Sequence, residues 1–588
     1  MKKQFILSVM LLVIMVLSSC HNQNQNQKHN NSADDIFSKF ETRFMDAYWR
    51  NYPSASIMVG YGKYYENLVI PDSSSFASNI IFSKQWIDSL NIIDLTSLNN
   101  NNKISFKIIR NQLESDVWYQ SVFRPQEWDP SQFNLSAECD YIINQPYASL
   151  DSRLKILSAH IRHADEFYKA ALKSIKKPTR ELTEMAILQN QGGLDVFGKQ
   201  FEDSVKASHL GTSEKKDLEQ NIKECLISMN GYITALKRIL ADKKTDFRDF
   251  RIGKDMYAAK FRYDLVVDLS PDQLNEKAKE AKEAYFHKMF GIADNLWAKY
   301  YKTQSKPKYT LEMVQLVLYK IQLQHAKPQN FFDTLTNQVN RMKKFILAKG
   351  LFDFDTTLNP ILVRIMPSYE RGFSIASAEF SPPYQKKGPT FYNIDDLTIY
   401  PPEKAESALR EYNDFSSQLL SIHEAMPGHC LQGIYNNRKS PDIVRAVFGN
   451  GAMIEGWAVY TESMMLENGW ANFAPEMELV HDKLKMREIG NVIIDYEIQC
   501  LGKSKEDIHK FLVKDCFQTM AQADEKYHRA TVSQVQLCSY FAGSVAIGEL
   551  RDEYHKKLRD KFNLREFHEK FLSFGSSPVK YIREIMLQ

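Results

Sequence analysis

The chain of 588 residues is long enough for one large domain or several small ones, and its 44% hydrophobic content can supply a substantial core. Its 75 basic and 72 acidic residues give a net charge of only +3, with both signs mixed along the chain, so nothing indicates nucleic acid as a partner. Only 23 glycines and 20 prolines interrupt the chain, a low share that excludes an all-β or disordered protein and favours long helices.

The first 19 residues have the pattern of a bacterial lipoprotein signal peptide. Lys2 and Lys3 precede a mostly apolar stretch, 5–17, that is too short to span the roughly 30 Å hydrocarbon core of a bilayer. Residues 17–20 follow with the order of a lipobox, in which the Cys20 sulfur accepts diacylglycerol before cleavage. We therefore predict a protein anchored by lipid on Cys20 at the bacterial cell envelope, in the periplasm or on the outer surface. Ordinary secretion with a chance cysteine is the alternative.

After the lipobox, the chain divides into a tether and a single large domain. Residues 20–33 are dominated by Asn and Gln without apolar periodicity, which is typical of a flexible tether. From 34 to 588 we find no convincing linker, and apolar residues recur every three or four positions, as in 154–172 and 313–323. The fold predicted from this spacing is mainly α, with two helical lobes around a cleft.

A short β region is predicted between these helices and the next. Ile361–Ile365 is typical of a strand, and an aromatic pair follows at 391–392. Pro402 then predicts the start of a helix, because proline suits the first helical turn. One apolar stripe over 408–422 predicts that this helix continues to the motif described next.

Two histidines and a glutamate with the chemistry of a zinc site follow. His423 and His429 enclose the sequence Glu-Ala-Met-Pro-Gly, and Glu455 lies 26 residues after His429. Two imidazoles and one carboxylate suit Zn²⁺ and leave a fourth position for water, whose pKa then falls to about 7. Glu424 is rotated by about 100° around the helix from His423, which suits a general base.

The spacing of the histidines requires an interrupted helix. They are six residues apart, and a regular helix turns such residues about 240° away from each other. Pro427 clashes with the carbonyl of His423, and Gly428 adopts backbone angles that are closed to other residues. We predict a kink here that brings both imidazoles to one ion. The alternative is a helix that ends at this point, with His429 in a loop.

Two acidic residues on the next predicted helix extend this site. Glu455 and Glu462 are seven residues apart and share one helical face. Such a pair is more often part of a solvated surface. Next to the histidine motif, we interpret Glu455 as the third ligand and Glu462 as a carboxylate that supports a ligand.

Three further residues are candidates for contact with a substrate. Tyr540 is a candidate donor to the oxyanion, an interaction worth roughly 3 kcal/mol, although a core tyrosine beside Phe541 is equally plausible. His528 and Arg529 are candidates for holding a substrate carboxylate, with an exposed basic helix face as the alternative.

The motifs HEAMPGH at 423–429 and EGWAVYTE at 455–462 resemble those of the bacterial family catalogued as domain of unknown function 885, assigned to the gluzincin clan of zinc metallopeptidases. The resemblance extends over nearly all of 34–588. It implies a mostly α-helical peptidase akin to carboxypeptidase Taq and thimet-type oligopeptidases. It also implies zinc on His423, His429 and Glu455, with Glu424 as general base.

The chain departs from this family pattern at several positions. Cys430 stands where the family often has a further histidine, and a thiolate is an alternative soft ligand. A basic residue expected near Asn491 and a histidine expected near Gln499 are absent. An expected Pro-Gly-Gln stretch appears as Gln-Val-Gln at 534–536. The metal-and-base set is intact, whereas parts of the substrate pocket are changed.

The sequence as a whole predicts a lipid-anchored zinc metallopeptidase that cleaves short peptides, with the bilayer and a peptide as its partners. An alternative from another class is a non-catalytic binding lipoprotein with a structural or vestigial zinc site. A zinc hydrolase for other amides or esters shares the same metal set. The oligomeric state and the choice between endo- and exo-cleavage stay open.

Overall fold

The structure is a computed structural model that describes residues 32–353, 360–367, 371 and 374–588. The predicted signal peptide, Cys20 and all but the last two residues of the predicted tether lie outside the described residues. Among the helices that are described, none is both long enough and apolar enough to cross a membrane.

The chain is mainly helical, as predicted, with one small sheet before the predicted zinc motif. Its first part contains α1 (Ala33–Asn51), α2 (Pro53–Met58), α3 (Ser73–Asn91), α4 (Asn100–Trp118), α5 (Ser136–Asn144), α6 (Leu150–Ile161), α7 (Ala164–Ser174), α8 (Arg180–Gly193), α9 (Lys199–Ala207), α10 (Thr212–Ala241), α11 (Gly253–Leu265), α12 (Pro271–Tyr301), α13 (Thr310–Ile321) and α14 (Phe331–Ala348). Its second part contains α15 (Pro402–Glu411), α16 (Ser416–Glu424), α17 (His429–Lys439), α18 (Ile443–Val447), α19 (Gly451–Glu467), α20 (Pro475–Leu501), α21 (Lys505–Lys514), α22 (Met520–Val532), α23 (Ser539–Leu558), α24 (Leu564–Leu572) and α25 (Val579–Met586).

The sheet consists of β1 (Ile361–Ile365), β2 (Ala376–Glu379) and β3 (Thr390–Ile394), in the order β1-β3-β2. β1 runs parallel to β3, with Ile361 opposite Thr390, and β2 runs antiparallel to β3. The strand predicted at Ile361–Ile365 is confirmed. β3 packs on α17 and β2 packs on α16 and α17, so the sheet supports the helices that carry the two histidines.

One predicted helix is wrong in its length. The apolar stripe over 408–422 belongs to two helices, because α15 ends at Glu411 and α16 begins at Ser416. Between them, the Asn413 side chain accepts hydrogen bonds from the backbone N–H groups of Phe415 (3.0 Å) and Ser416 (3.3 Å). This side-chain contact starts a new helix. The pattern 154–172 is divided in the same way, into α6 and α7.

Among the described residues the apolar core divides into four clusters, of which the largest spans many elements and the second largest is built mainly from α5–α10. α19 runs through the interior and is buried on nearly all sides, as expected of a helix that is apolar all round. It crosses α23 at very short range. A Cβ atom on Gly456 would lie 2.3 Å from the carbonyl carbon of Gly543, and one on Gly543 would lie 1.7 Å from the Ala452 carbonyl oxygen. Only glycine fits at this crossing.

Replacement of Gly543 by alanine tests this crossing. The added methyl group meets backbone that cannot move without separating α19 from α23, so we expect the free energy of unfolding to fall by about 1–3 kcal/mol. Denaturant unfolding of the purified variant measures this loss.

Gly548 is the matched control, because it lies on the same helix and a Cβ atom there meets nothing within 4 Å. The Gly548→Ala variant should be more stable than the wild type by about 0.5–1 kcal/mol. Equal effects of the two substitutions would contradict the close crossing.

Candidate metal centre

The helix break predicted between the two histidines is present. α16 ends at Glu424, the Met426–Pro427 peptide bond is cis, and α17 begins at His429. The backbone N–H of Gly428 donates to the carbonyl of Ile422 at 2.9 Å. A Cβ atom at position 428 would lie 1.8 Å from the His423 carbonyl oxygen, so the tight path between the histidines requires glycine.

α19 holds this break in place from the other side. The Trp457 indole N–H donates to the carbonyl of Pro427 at 3.0 Å, and Trp457 is fully buried. At the start of α19, the Asn450 side chain accepts from the Met453 N–H (2.9 Å) and donates to the Leu265 carbonyl at the end of α11 (2.9 Å). The helix that carries the acidic residues is therefore fixed to both the histidine segment and the surrounding core.

Three predicted ligands converge on one point. The Glu455 Oε2 atom lies 3.8 Å from His423 Nε2 and 3.5 Å from His429 Nε2. The two imidazole rings are perpendicular, with centroids 4.8 Å apart. Tetrahedral Zn²⁺ with ligand bonds of 2.0–2.2 Å separates its ligand atoms by about 3.4 Å, which is close to these distances. Within the described residues this is the only group of three His, Cys, Asp or Glu side chains with such spacing.

Glu462 contacts one of the predicted ligands, His423, on the side away from the converging group. Its Oε1 atom lies 2.7 Å from His423 Nδ1, which leaves Nε2 directed toward Glu455 and His429. Burial acts to lower the pKa of His423, but the contacts with Glu455 and Glu462 outweigh it and raise the pKa well above its usual value. Burial acts to raise the pKa of Glu455, but the contacts with His423 and His429 outweigh it and lower the pKa.

A buried charge network on α20 continues from Glu462. The Lys485 ammonium donates to the Val459 carbonyl (3.3 Å) and to Glu488 (3.4 Å), and it interacts electrostatically with Glu462. Burial raises the pKa of Glu488 to about 7, although Lys485 acts against it. Sequence reasoning missed these residues. No sequence signal marked them, because a Lys-Glu pair three residues apart within the charged run 481–488 is typical of a solvated helix face.

Glu424 ends α16 directly after the predicted ligand His423, and its side chain is half-buried. The Cys430 thiol, considered as an alternative ligand, is directed elsewhere, because its sulfur donates to the Phe391 carbonyl of β3 at 3.5 Å. Burial raises the pKa of Cys430 well above its usual value, which disfavours the thiolate that a metal needs. Cys430 is not a member of the converging group.

Tyr540 and Arg529 lie together in a second group. The Arg529 guanidinium donates to Gln536 at 2.7 Å and to the Tyr540 hydroxyl at 3.4 Å. His528, predicted as their neighbour in substrate binding, lies on the exposed side of α22. The structure thus brings Arg529 and Tyr540 to each other and leaves His528 outside this pair. Their roles toward a substrate stay predictions.

The positions that depart from the family pattern have different surroundings. The Gln499 amide accepts from the Ile252 N–H (3.1 Å) and donates to the Ala530 carbonyl (2.8 Å), so it links three segments of the core. Val535, where a glycine was expected, has a φ of 73°, a conformation that is unfavourable for a β-branched residue. Asn491 and Gln534 each bury a side-chain polar atom that has no hydrogen-bond partner among the described residues.

Comparisons with known proteins give similarity over almost the whole chain. The family model described as "Bacterial protein of unknown function (DUF885)" matches residues 53–586. A "putative lipoprotein of unknown function" from Shewanella oneidensis is 38% identical, with a TM-score of 0.85 over 94% of this chain and 100% of that one. A "putative lipoprotein" from Colwellia psychrerythraea is 15% identical, with a TM-score of 0.75 over 94% of this chain and 98% of that one, and it shows the fold alone. No curated protein matches.

These relatives also bear on location. Both solved structures carry the name "putative lipoprotein", in agreement with the predicted lipobox that ends at Cys20. The predicted localisation, a lipid-anchored protein of the bacterial cell envelope, is confirmed.

Zinc binding should release protons, because the pKa of His423 in the metal-free protein is raised and a metal needs the neutral imidazole. We expect the apparent zinc affinity to fall by about tenfold for each pH unit below the pKa of His423. Calorimetry in two buffers of different ionisation enthalpy measures the number of protons released.

The Glu462→Gln variant serves as the comparison. It removes one of the carboxylates that raise the pKa of His423, so fewer protons should be released at neutral pH. An equal zinc affinity of the wild type at pH 6 and pH 8 would show that His423 does not gain its proton in this way.

Proposed function

Since the chain belongs to the DUF885 family of bacterial proteins, whose description names no activity, we propose its function from its own side chains: it is a zinc-dependent metallopeptidase of the gluzincin type that cleaves short peptides. The observation that carries this proposal is the convergence of His423, His429 and Glu455 within 4.8 Å of one another, beside Glu424.

The donor set fits Zn²⁺ better than a harder cation. Two imidazoles and one carboxylate are the ligands of catalytic zinc sites, whereas Mg²⁺ and Ca²⁺ prefer oxygen ligands alone. The carboxylate of Glu462 on His423 Nδ1 is the outer contact that orients a ligating imidazole and raises its basicity. Zn²⁺ held there would supply Lewis acidity and make water acidic enough to act as a nucleophile near neutral pH.

The remaining catalytic and substrate-binding roles are assigned to side chains of the protein. Glu424 accepts a proton from the attacking water and returns it to the leaving amine, the role of a general base and then acid. Tyr540 is the proposed donor to the oxyanion, and His528 and Arg529 are the proposed contacts to a substrate carboxylate. In this proposal, the helices that pack around the two largest apolar clusters form the two lobes of a substrate cleft.

A second candidate function is supported by the changes near α20. Asn491 and Gln534 each bury one amide atom that has no hydrogen-bond partner among the described residues, and Val535 has a positive φ, in the region where the family pattern has other residues. A non-catalytic binding lipoprotein would keep the fold and a closed, structural zinc site. A hydrolase for other amides or esters would keep the open site and change only the pocket.

Zinc chelation by a hydroxamate separates these candidates. A catalytic ion keeps an exchangeable position, so a hydroxamate should bind the zinc-loaded protein and fail to bind the metal-free protein. Calorimetric titration of both forms is the measurement. A zinc-loaded protein that ignores the hydroxamate would favour the structural site.

The Glu424→Gln variant tests the general base. We expect zinc affinity to be unchanged, because Glu424 is not a ligand, while kcat for peptide cleavage falls by about 10²–10⁴. Zinc content by metal analysis and turnover of a peptide library are measured on the same preparation.

Glu219→Gln, on the exposed surface of α10, is the matched control and should cleave as the wild type does. Wild-type protein that is fully zinc-loaded but inert toward a broad peptide library would overturn the peptidase proposal.

A further inference from the structure

A group of basic side chains lies where α15, α20 and α22 meet. Lys483 and Arg487 of α20 approach a single carboxylate, Glu411 at the end of α15, at 3.7 Å and 3.6 Å. Lys526 and Arg529 of α22 complete the group. These four basic side chains face two carboxylates, Glu411 and Glu525, so the group has excess positive charge.

Lys526 is the unusual member of this group. Its side chain is only 3% exposed, and it forms no hydrogen bond or ion pair with any other described residue. Buried charges in proteins are normally paired, because an unpaired ammonium loses its hydration without compensation. Burial, together with Arg487 and Arg529, holds the pKa of Lys526 well below its usual value. Lys526 is thus a buried lysine that forms no ion pair with a described residue, and the carboxylates of Glu525 and Glu411 act on it only electrostatically.

The group remains accessible to solvent. The Arg487 side chain is 31% exposed and those of Lys483 and Glu411 are each 22% exposed, although each sits among other elements of the core. An anion entering here would meet Arg487 and Lys526 without having to break an ion pair of Lys526.

The group is also electrostatically connected to the general base proposed above. The Tyr412 hydroxyl, which follows α15, interacts with both Arg487 and Glu424. On the other side of the group, Arg487 interacts with the Tyr540 hydroxyl. The basic group is therefore electrostatically coupled to Glu424 and Tyr540, residues to which the proposed function assigns chemistry.

We propose that Lys526 and Arg487 bind a carboxylate of the peptide substrate, and that this contact, resting on the proposed function, restricts the enzyme to peptides that place a carboxylate close to the scissile bond. Arginine offers two parallel donors to a carboxylate, and the lysine adds a point charge where hydration is weak. This carboxylate belongs either to the C-terminus of the peptide or to an acidic side chain. Arg529, predicted from the sequence, then acts beside this pair, held by its contacts with Gln536 and Tyr540.

Binding of short peptides to the metal-free protein tests this proposal independently of cleavage. Three alanine-rich peptides are compared by calorimetry: one with a free C-terminus, the same peptide amidated, and an amidated peptide that ends in glutamate. We expect a carboxylate-bearing peptide to bind at least tenfold more tightly than the uncharged amide. Tighter binding of the free acid alone assigns the C-terminal carboxylate, and tight binding of the amidated glutamate peptide assigns the side chain. Equal binding of all three overturns the proposal.

The Lys526→Met variant identifies the residue responsible. It should lose the preference for carboxylates while its thermal stability equals or exceeds that of the wild type, because a buried, unpaired ammonium is removed. The matched control is Lys510→Met on the exposed side of α21, which should keep the preference. A Lys526→Met protein that is folded and still prefers carboxylates by the same factor overturns the assignment.

The two proposals fail in different ways. Peptide binding to the metal-free protein tests only the basic group. Turnover of the Glu424→Gln variant tests only the role of the general base in cleavage. A zinc-loaded wild type that binds carboxylate peptides without cleaving them would retain the binding site and reject the peptidase.

Discussion

The site depends on one backbone constraint, the turn that separates two histidines six residues apart. Gly428 passes so close to the carbonyl groups of Ile422 and His423 that no side chain fits, and the Trp457 indole holds the Pro427 carbonyl against α19. Without this turn, a continuous helix would direct the imidazoles away from each other. With it, residues from α16, α17 and α19 share one point, and the ligand helix is fastened to the turn by a buried hydrogen bond.

The charges around that point explain how ionisable side chains are tolerated in the protein interior. Buried imidazoles and carboxylates are unfavourable individually, but each has a partner of opposite charge: His423 lies between Glu455 and Glu462, and Lys485 lies between Glu462 and Glu488. The chain of alternating signs extends from the proposed ligands into α20. In the metal-free protein, the raised pKa of His423 favours a proton on its imidazole, which supplies positive charge where a divalent cation would otherwise do so.

The sequence was informative where its signals are local. The helix break at 427–428, the strand Ile361–Ile365 and the spacing of Glu455 and Glu462 all come from short patterns whose physics is fixed by neighbouring residues. The division at 412–415 was missed, because both helices keep their apolar residues on one continuous stripe and only the Asn413 side chain marks the end. Lys485, Arg487 and Lys526 were missed for another reason. Charged residues on a helix are ordinarily solvated, and only the packing of α20 and α22 against distant elements shows that Lys485 and Lys526 are buried and that Arg487 is half-buried.

The crossing of α19 and α23 has a further consequence. Gly456 follows Glu455, a proposed metal ligand, and Gly543 lies about one helical turn after Tyr540. Because the two main chains touch at these glycines, the contact sets the separation between the side chains of Glu455 and Tyr540. A spacing fixed by backbone does not change when the surrounding side chains are exchanged. Side chains around the pocket can therefore be exchanged, and the preference for ligands altered, while the separation between Glu455 and Tyr540 stays the same.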